Sequence, residues 1–121
     1  MTPLKFILVD SDRLRAAVIS DGLTRHWGVT VATSLADLAA SREGRCVALV
    51  ADEPGSIRTT LDRMKAAGLR AKVIAYAEDT SPHRMVKAMA AGAADFLHWP
   101  CDTANIIAAA TAATASPEPA S

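Results

Sequence analysis

The 121-residue sequence predicts an α/β fold in which helices cover both faces of a parallel β-sheet. Apolar runs of strand length, such as Phe6–Val9 and Cys46–Ala51, are typical of strands that are buried on both faces of such a sheet. Segments with helical apolar spacing alternate with these runs, and the connections are short. Half of the residues are apolar but only 4% are aromatic, so we expect aliphatic strands packed against alanine-rich helices.

The first half of the chain contains three predicted strands, over residues 4–9, 29–32 and 46–51. Asp12 is expected to cap the first helix, whose inner face is predicted from apolar residues at helical spacing, namely Ala16, Ile19, Leu23 and Trp27. Gly28 ends this helix. Ser34 followed by Asp37 resembles a capping box, which predicts a short second helix through Leu38.

The second half continues the alternation, with strands predicted over residues 72–76 and 94–98. The third helix presents Ile57, Leu61 and Met64, and Ser81-Pro82 has the form of a helix start. The inner face of this fourth helix is predicted to carry Met85, Val86 and Met89. A fifth helix follows Asp102 and buries Ile106, Ile107 and Ala110. We expect one domain over residues 1–114 and a proline- and serine-containing linker or disordered tail over 115–121.

Five strands alternating with five helices predict a three-layer sandwich with right-handed connections around a five-stranded parallel sheet. In the flavodoxin-like strand order 2-1-3-4-5, the first and third strands are neighbours. Asp10 and Asp12 follow the first strand, and Asp52 follows the third, so these acids should meet at one edge of the sheet. Carboxylates that converge in this way repel each other, bind a hard cation, or raise each other's pKa.

The charge pattern narrows the class of partner. The 13 basic and 13 acidic residues cancel, and neither sign forms a run, which argues against direct nucleic-acid binding or a basic membrane contact by this domain. No apolar stretch is long enough to span a bilayer, and the chain does not open with a cleavable leader. These features favour a cytoplasmic protein.

From Leu4 to about Ala113 the sequence resembles the receiver domain of two-component response regulators. The residues that carry the resemblance are the segment Ile7-Leu8-Val9-Asp10-Ser11-Asp12, the acid Asp52, and residues 90–97 leading into Trp99-Pro100. The resemblance implies a signalling domain of a phosphorelay that is not itself an enzyme. It also implies that Pro100 follows a cis peptide bond.

In the family that the sequence resembles, an aspartate after the third strand accepts a phosphoryl group beside Mg²⁺. Asp52 matches that phosphoacceptor, and Asp10 matches the first metal-binding acid. Ser11 falls at the second acid, so Asp10 and Asp52, with Asp12 if the turn shifts, would bind Mg²⁺ only weakly. Asp52 lies two residues before Pro54, a shorter gap than the family has. Taking that proline as the anchor would place Val50 at the acceptor position, but Asp52 is preferred as the first polar residue after the strand.

Two further positions depart from the family pattern. Tyr76 stands where the family has a serine or threonine, and its rigid ring is too large to follow a phosphoryl oxygen inward. Trp99 stands where the family has a lysine, and an indole offers one N–H donor and no charge. The switch that couples phosphorylation to rearrangement is therefore predicted to be partly lost.

Three functions are compatible with these residues. The first is an atypical receiver that requires no cofactor and regulates an output domain, such as a DNA-binding transcription regulator, through protein contacts. It would dimerise through the fourth predicted helix, the fifth strand and the alanine-rich fifth helix, Ala104 to Ala115. The second is a receiver that accepts a phosphoryl group on Asp52, with Mg²⁺, from a histidine kinase. The third, a cofactor-binding relative, has little support because the first strand lacks a glycine-rich phosphate loop.

Overall fold

A computed structural model of the protein describes residues 4–32 and 45–115. Five strands form one parallel sheet: β1 (Leu4–Val9), β2 (Thr30–Ala32), β3 (Arg45–Ala51), β4 (Lys72–Ala77) and β5 (Asp95–His98). Four described helices connect or follow them: α1 (Arg13–Trp27), α2 (Ser56–Ala66), α3 (Pro82–Ala91) and α4 (Thr103–Ala115). The strand order is β2-β1-β3-β4-β5, which confirms the predicted fold. The helix predicted from Ser34 to Leu38 lies outside the described residues.

The sheet separates two layers of buried side chains, because successive residues of a strand point to opposite faces. On one face, Val50 of β3 belongs to a cluster with Ile57 of α2 and Ala88 of α3. On the other face, buried strand residues pack with Leu23 of α1 and Ala110 of α4. Helices α2 and α3 therefore cover one face, and α1 and α4 cover the other.

The inner face predicted for α3 is wrong. Ala88 is the buried residue of this helix, and Arg84 and Ala91, one turn to either side of it, are partly buried. The residues predicted to be buried are instead 38%, 69% and 46% exposed, in the order Met85, Val86 and Met89. The helix has two apolar stripes, and the one with small side chains faces the sheet because alanine lets the helix backbone approach closely.

The prediction for Trp27 is also wrong, since this residue, at the end of α1, is 46% exposed. Its indole Nε1 donates a hydrogen bond to Thr103 Oγ1 at 3.1 Å, so the ring lies against the start of α4 instead of in the core. The neighbouring predictions hold, because Ile19 and Leu23 are buried.

The register of the sheet brings the acidic strand ends together. Val9 of β1 is paired with Val50 of β3, so Asp10 and Asp52 leave adjacent strands at the same edge. At the end of β5, the Trp99 N–H donates to the carbonyl of Ala77 at 2.9 Å. Within the described ranges, no helix has both the length and the apolar character needed to cross a bilayer.

Gly92 provides a test of how closely the end of α3 packs against α2. It ends the helix at φ 119°, and a Cβ atom there would lie 2.5 Å from Leu61 Cδ1. Gly92→Ala should lower the free energy of unfolding by about 2 kcal/mol, because the backbone is strained and Leu61 must move. Gly68→Ala is the matched control, since Gly68 has φ 71° with no atom in the way, and should cost about 1 kcal/mol. Equal losses in urea unfolding would contradict this account.

Candidate functional site

The carboxylate of Asp10 lies at the carboxyl end of β1, and its side chain is fully buried. Arg15, in α1, donates from Nε to Asp10 Oδ2 at 2.6 Å and from Nη2 to Oδ1 at 2.8 Å. The Tyr76 hydroxyl donates to Oδ2 at 2.7 Å, and the Asp12 N–H donates to Oδ1 at 2.9 Å. Both carboxylate oxygens are therefore satisfied by protein donors, and we refer to these three side chains as the Asp10–Arg15–Tyr76 cluster.

The position of Arg15 follows from the way in which α1 begins. Asp12 caps the helix, and its Oδ1 accepts hydrogen bonds from the N–H groups of Leu14 and Arg15, both at 3.1 Å. This confirms the predicted cap. Because the cap fixes the first turn directly after β1, the guanidinium of Arg15 can turn back to the strand end. The Asp12 carboxylate, in contrast, is directed to the helix backbone.

The cluster keeps its three groups in fixed protonation states. Burial acts to raise the pKa of Asp10, but hydrogen bonds from Arg15, Tyr76 and the Asp12 N–H outweigh it and hold the pKa below its ordinary value. Burial, followed by the hydrogen bond to Asp10, raises the pKa of the Tyr76 phenol. The same carboxylate raises the pKa of Arg15. At neutral pH the site therefore contains an anion, a cation and a neutral phenol.

Asp52 lies beside this cluster but has different partners. Its backbone N–H donates to the carbonyl of Tyr76 at 2.8 Å, which continues the pairing of β3 with β4. Its side chain is 18% exposed, and Oδ2 lies 3.3 Å from Nε of Arg84 on α3. Val50, the alternative acceptor position, is fully buried in the sheet. Asp52 is thus the residue that presents a carboxylate at this strand end.

Ser11 and Glu53 connect the loops that follow β1 and β3. The Ser11 hydroxyl lies 2.8 and 2.9 Å from the two carboxylate oxygens of Glu53, and the Ser11 N–H donates to Oε1 at 3.2 Å. The resemblance places the family's second acid at Ser11. In this chain, Ser11 links the loop after β1 to the loop after β3 through its hydrogen bonds to Glu53.

Comparison with family models and with curated proteins gives no match. Solved structures do match. The crystal structure of FixJ-N has a TM-score of 0.70 at 23% identity, with 98% of both chains covered. The chain has the receiver fold. The beryllofluoride-activated NtrC4 receiver domain dimer gives a TM-score of 0.68 at 18% identity, covering 92% of this chain and 96% of that one. An atypical orphan response regulator gives 0.65 at 20% identity, covering 92% and 95%.

Tyr76 and Trp99, the two positions at which the sequence analysis predicts a departure from the family pattern, lie against each other. The Tyr76 ring is buried, and the guanidinium carbon of Arg15 lies 5.6 Å from its centroid. The half-buried Trp99 ring is tilted by 57° against Tyr76, with 6.4 Å between centroids. The Trp99–Pro100 peptide bond is cis, as the resemblance implied. An aromatic pair therefore lies at the two positions where the resemblance implies a hydroxyl and an ammonium.

The donor set does not fit a magnesium ion in this arrangement. Mg²⁺ requires carboxylate oxygens that are free to join a near-octahedral shell of water. Both oxygens of Asp10 are hydrogen-bonded, Asp12 caps α1, and Asp52 pairs with Arg84. No group of three or more His, Cys, Asp or Glu suited to a metal occurs in the part of the chain that the structure describes. The guanidinium of Arg15 balances the buried charge instead.

The sequence analysis placed Asp10 and Asp52 at one edge of the sheet, as the strand register does, but it missed the cations that pair with them. Arg15 follows the predicted cap Asp12 within one helical turn, so its reach to the strand end could have been anticipated. Arg84 could not, because its contact with Asp52 depends on how α3 packs against the sheet.

The pH dependence of stability tests the Asp10–Arg15–Tyr76 cluster. The pKa of Asp10 is lower in the folded protein than in the unfolded chain, so the ionised carboxylate stabilises the fold at pH values above the unfolded pKa of about 3.9. This stabilisation is lost as the pH falls towards the folded value. We expect the difference in unfolding free energy between wild type and Asp10→Asn to be largest above about pH 5 and to shrink on acidification. Asp21→Asn, which removes the exposed partner of Arg25, is the control and should change little at any pH. If the difference in unfolding free energy between wild type and Asp10→Asn grew at low pH, the proposed stabilisation of the Asp10 carboxylate by Arg15 and Tyr76 would be wrong.

Proposed function

We propose that the protein is an atypical receiver of two-component signalling that works as a protein-interaction module and is controlled without phosphorylation. The observation that carries this proposal is the buried Asp10 carboxylate, which is satisfied by Arg15 and Tyr76. In a phosphoryl-accepting site, metal ions neutralise the charge that develops during transfer. Here a guanidinium fixed to the chain occupies that role at Asp10 and leaves no open coordination position.

The altered switch positions support the same function. Tyr76 is held by Asp10 and covered by Trp99, so its hydroxyl is not free to follow a modified Asp52. Trp99 supplies no cation to pair with a phosphoryl group. The atypical orphan response regulator that shares this fold is described as having a phosphorylation-independent regulatory mechanism. A receiver fold regulated in that way is a direct precedent for the function that we propose.

The contact surface that we propose is the outer side of α3, together with β5 and α4. Met85, Val86 and Met89 form an exposed apolar stripe, which we call the α3 apolar face. Exposed alanines of α4, such as Ala104 and Ala108, would let another helix approach closely. We propose that this surface forms a homodimer and transmits the signal to an output domain such as a DNA-binding one. The NtrC4 receiver domain, of the same fold, is described as a dimer.

A second function is favoured by one specific observation. Asp52 is partly exposed, and its carboxylate already lies near the cation of Arg84. A phosphoryl group on Asp52 would add negative charge beside that guanidinium, which could then act in place of the missing lysine. The chain would in that case be a competent receiver, with Asp52 as phosphoacceptor and a histidine kinase as donor.

Fluoroberyllate separates these two functions. With Mg²⁺ and beryllofluoride, we expect no bound signal in ¹⁹F NMR, because Asp10 is not available to hold the metal. The NtrC4 receiver domain, which is activated by beryllofluoride, is the positive control. A bound signal that disappears in Asp52→Asn would establish the second function instead.

Self-association tests the α3 apolar face. Val86→Glu places a charge in the centre of the exposed stripe and should raise the dimer dissociation constant at least about tenfold, measured by sedimentation velocity. Val18→Glu is the matched control, because Val18 is 60% exposed on α1, outside the proposed surface. Equal weakening by both substitutions, or a wild-type protein that stays monomeric at all concentrations, would contradict this interface.

A further inference from the structure

Two methionines lie side by side on the outer side of α3. Met85 and Met89 are one helical turn apart on the α3 apolar face, and they are 38% and 46% exposed. Met64 of α2, in contrast, is 2% exposed and belongs to the core. The remaining methionine of the chain, Met1, lies outside the described residues. Two thioether side chains are therefore accessible from solution, whereas a third is enclosed.

The two cysteines are partly buried and stay in their thiol form. Cys46 and Cys101 are both free cysteines. Burial raises the pKa of each thiol, and the thiolate is the form that reacts as a nucleophile. A thioether has no proton to lose, so its reaction with a peroxide requires no ionised form. At mildly acidic pH the exposed methionines are therefore open to oxidation while the thiols are not ionised.

The attachment of α3 determines what a chemical change at Met85 and Met89 does to the domain. The helix is held to the core by Ala88, which is 3% exposed, and by the partly buried Ala91. Neither exposed methionine belongs to the buried clusters on the two faces of the sheet. A modification of these side chains therefore changes the surface of the helix and leaves its attachment in place.

We propose that Met85 and Met89 form an oxidation site that converts the α3 apolar face from an apolar to a polar surface. The oxidant is a peroxide: its O–O bond breaks, one oxygen forms an S–O bond with the thioether, and the other leaves as water when hydrogen peroxide reacts. The sulfur is oxidised to a sulfoxide, and the peroxide is reduced. Because sulfoxides are polar, covering them in an interface carries a desolvation cost that thioethers do not have.

The effect on self-association rests on the homodimer proposed above, whereas the oxidation reaction does not. In the dimer the two methionines are covered, so a peroxide reacts with the monomer. The oxidised monomer then has a polar face and dimerises weakly. Methionine sulfoxide reductases reverse the change, since the sulfoxides lie on the outer side of an intact helix.

Peptide mass spectrometry tests the reaction itself. The protein is treated with hydrogen peroxide at about pH 6, where the thiols are not ionised, and each sulfoxide is recognised by an added mass of about 16 Da. In dilute protein we expect Met85 and Met89 to be oxidised at least about tenfold faster than Met64, which is buried. Both fast rates should fall as the protein concentration rises and the dimer forms.

Sedimentation velocity tests the consequence for the dimer. Oxidation of both exposed methionines should raise the dimer dissociation constant at least about tenfold, with an unchanged circular dichroism spectrum. The two methionine sulfoxide reductases, one for each sulfoxide epimer, should restore the original affinity. Met85→Leu with Met89→Leu keeps the surface apolar and should dimerise equally well before and after peroxide treatment. Met64→Leu is the matched control and should respond to peroxide as wild type does.

Several outcomes would overturn the oxidation site. They are equal oxidation rates at Met64 and at the two α3 methionines, an oxidised protein that dimerises as tightly as the untreated one, and a leucine double variant that still dissociates in peroxide. The last of these would assign the effect to another residue, such as a cysteine. A wild-type protein that is monomeric at all concentrations contradicts the proposed homodimer instead, and the relative oxidation rates then decide whether the site exists.

Discussion

The edge of the sheet at which Asp10 and Asp52 follow β1 and β3, which we call the acidic edge, depends on how the buried charge of Asp10 is compensated. An ionised carboxylate without partners is very costly to bury, and Asp10 has no exposed side-chain surface. Arg15 and Tyr76 meet this requirement from α1 and β4, so that a single side chain joins three elements of the fold. Because the compensating cation belongs to the chain, the edge is complete without an added ion. This separates the site from one that gains its charge balance from a metal.

Much of the fold could be predicted from the sequence because the strands are marked by uninterrupted apolar runs. The alternation of strands and helices predicted a parallel sheet, the flavodoxin-like strand order then made β1 and β3 neighbours, and the observed sheet order agrees. The buried face of α3 could not be predicted in the same way. Residue hydrophobicity ranks methionine and valine above alanine, but close packing selected the stripe of Ala88 and Ala91. Apolar spacing alone does not reveal which of two stripes faces the sheet.

At the site, the strand register determines where the acids lie, whereas side-chain contacts determine their hydrogen-bond partners and charge balance. Asp10 and Asp52 could be assigned to one edge because parallel strands carry their ends to the same side. The hydrogen bond between Tyr76 and Asp10 links residues 66 positions apart and depends on the ring's reach from the neighbouring strand. The sequence analysis judged Tyr76 by the size of its ring and predicted that the switch is partly lost there. Its hydroxyl is in fact a structural donor.

The two sides of α3 separate the residues that attach the helix to the domain from the residues that it leaves on the surface. The helix is attached through small inner residues such as Ala88, whereas its larger side chains, including Val86, contribute little to the core. Substitutions on the outer side can therefore accumulate during evolution without weakening the fold. A duplicated copy of this domain could acquire a new binding specificity through changes in a single helix, while its sheet and its acidic edge stayed the same.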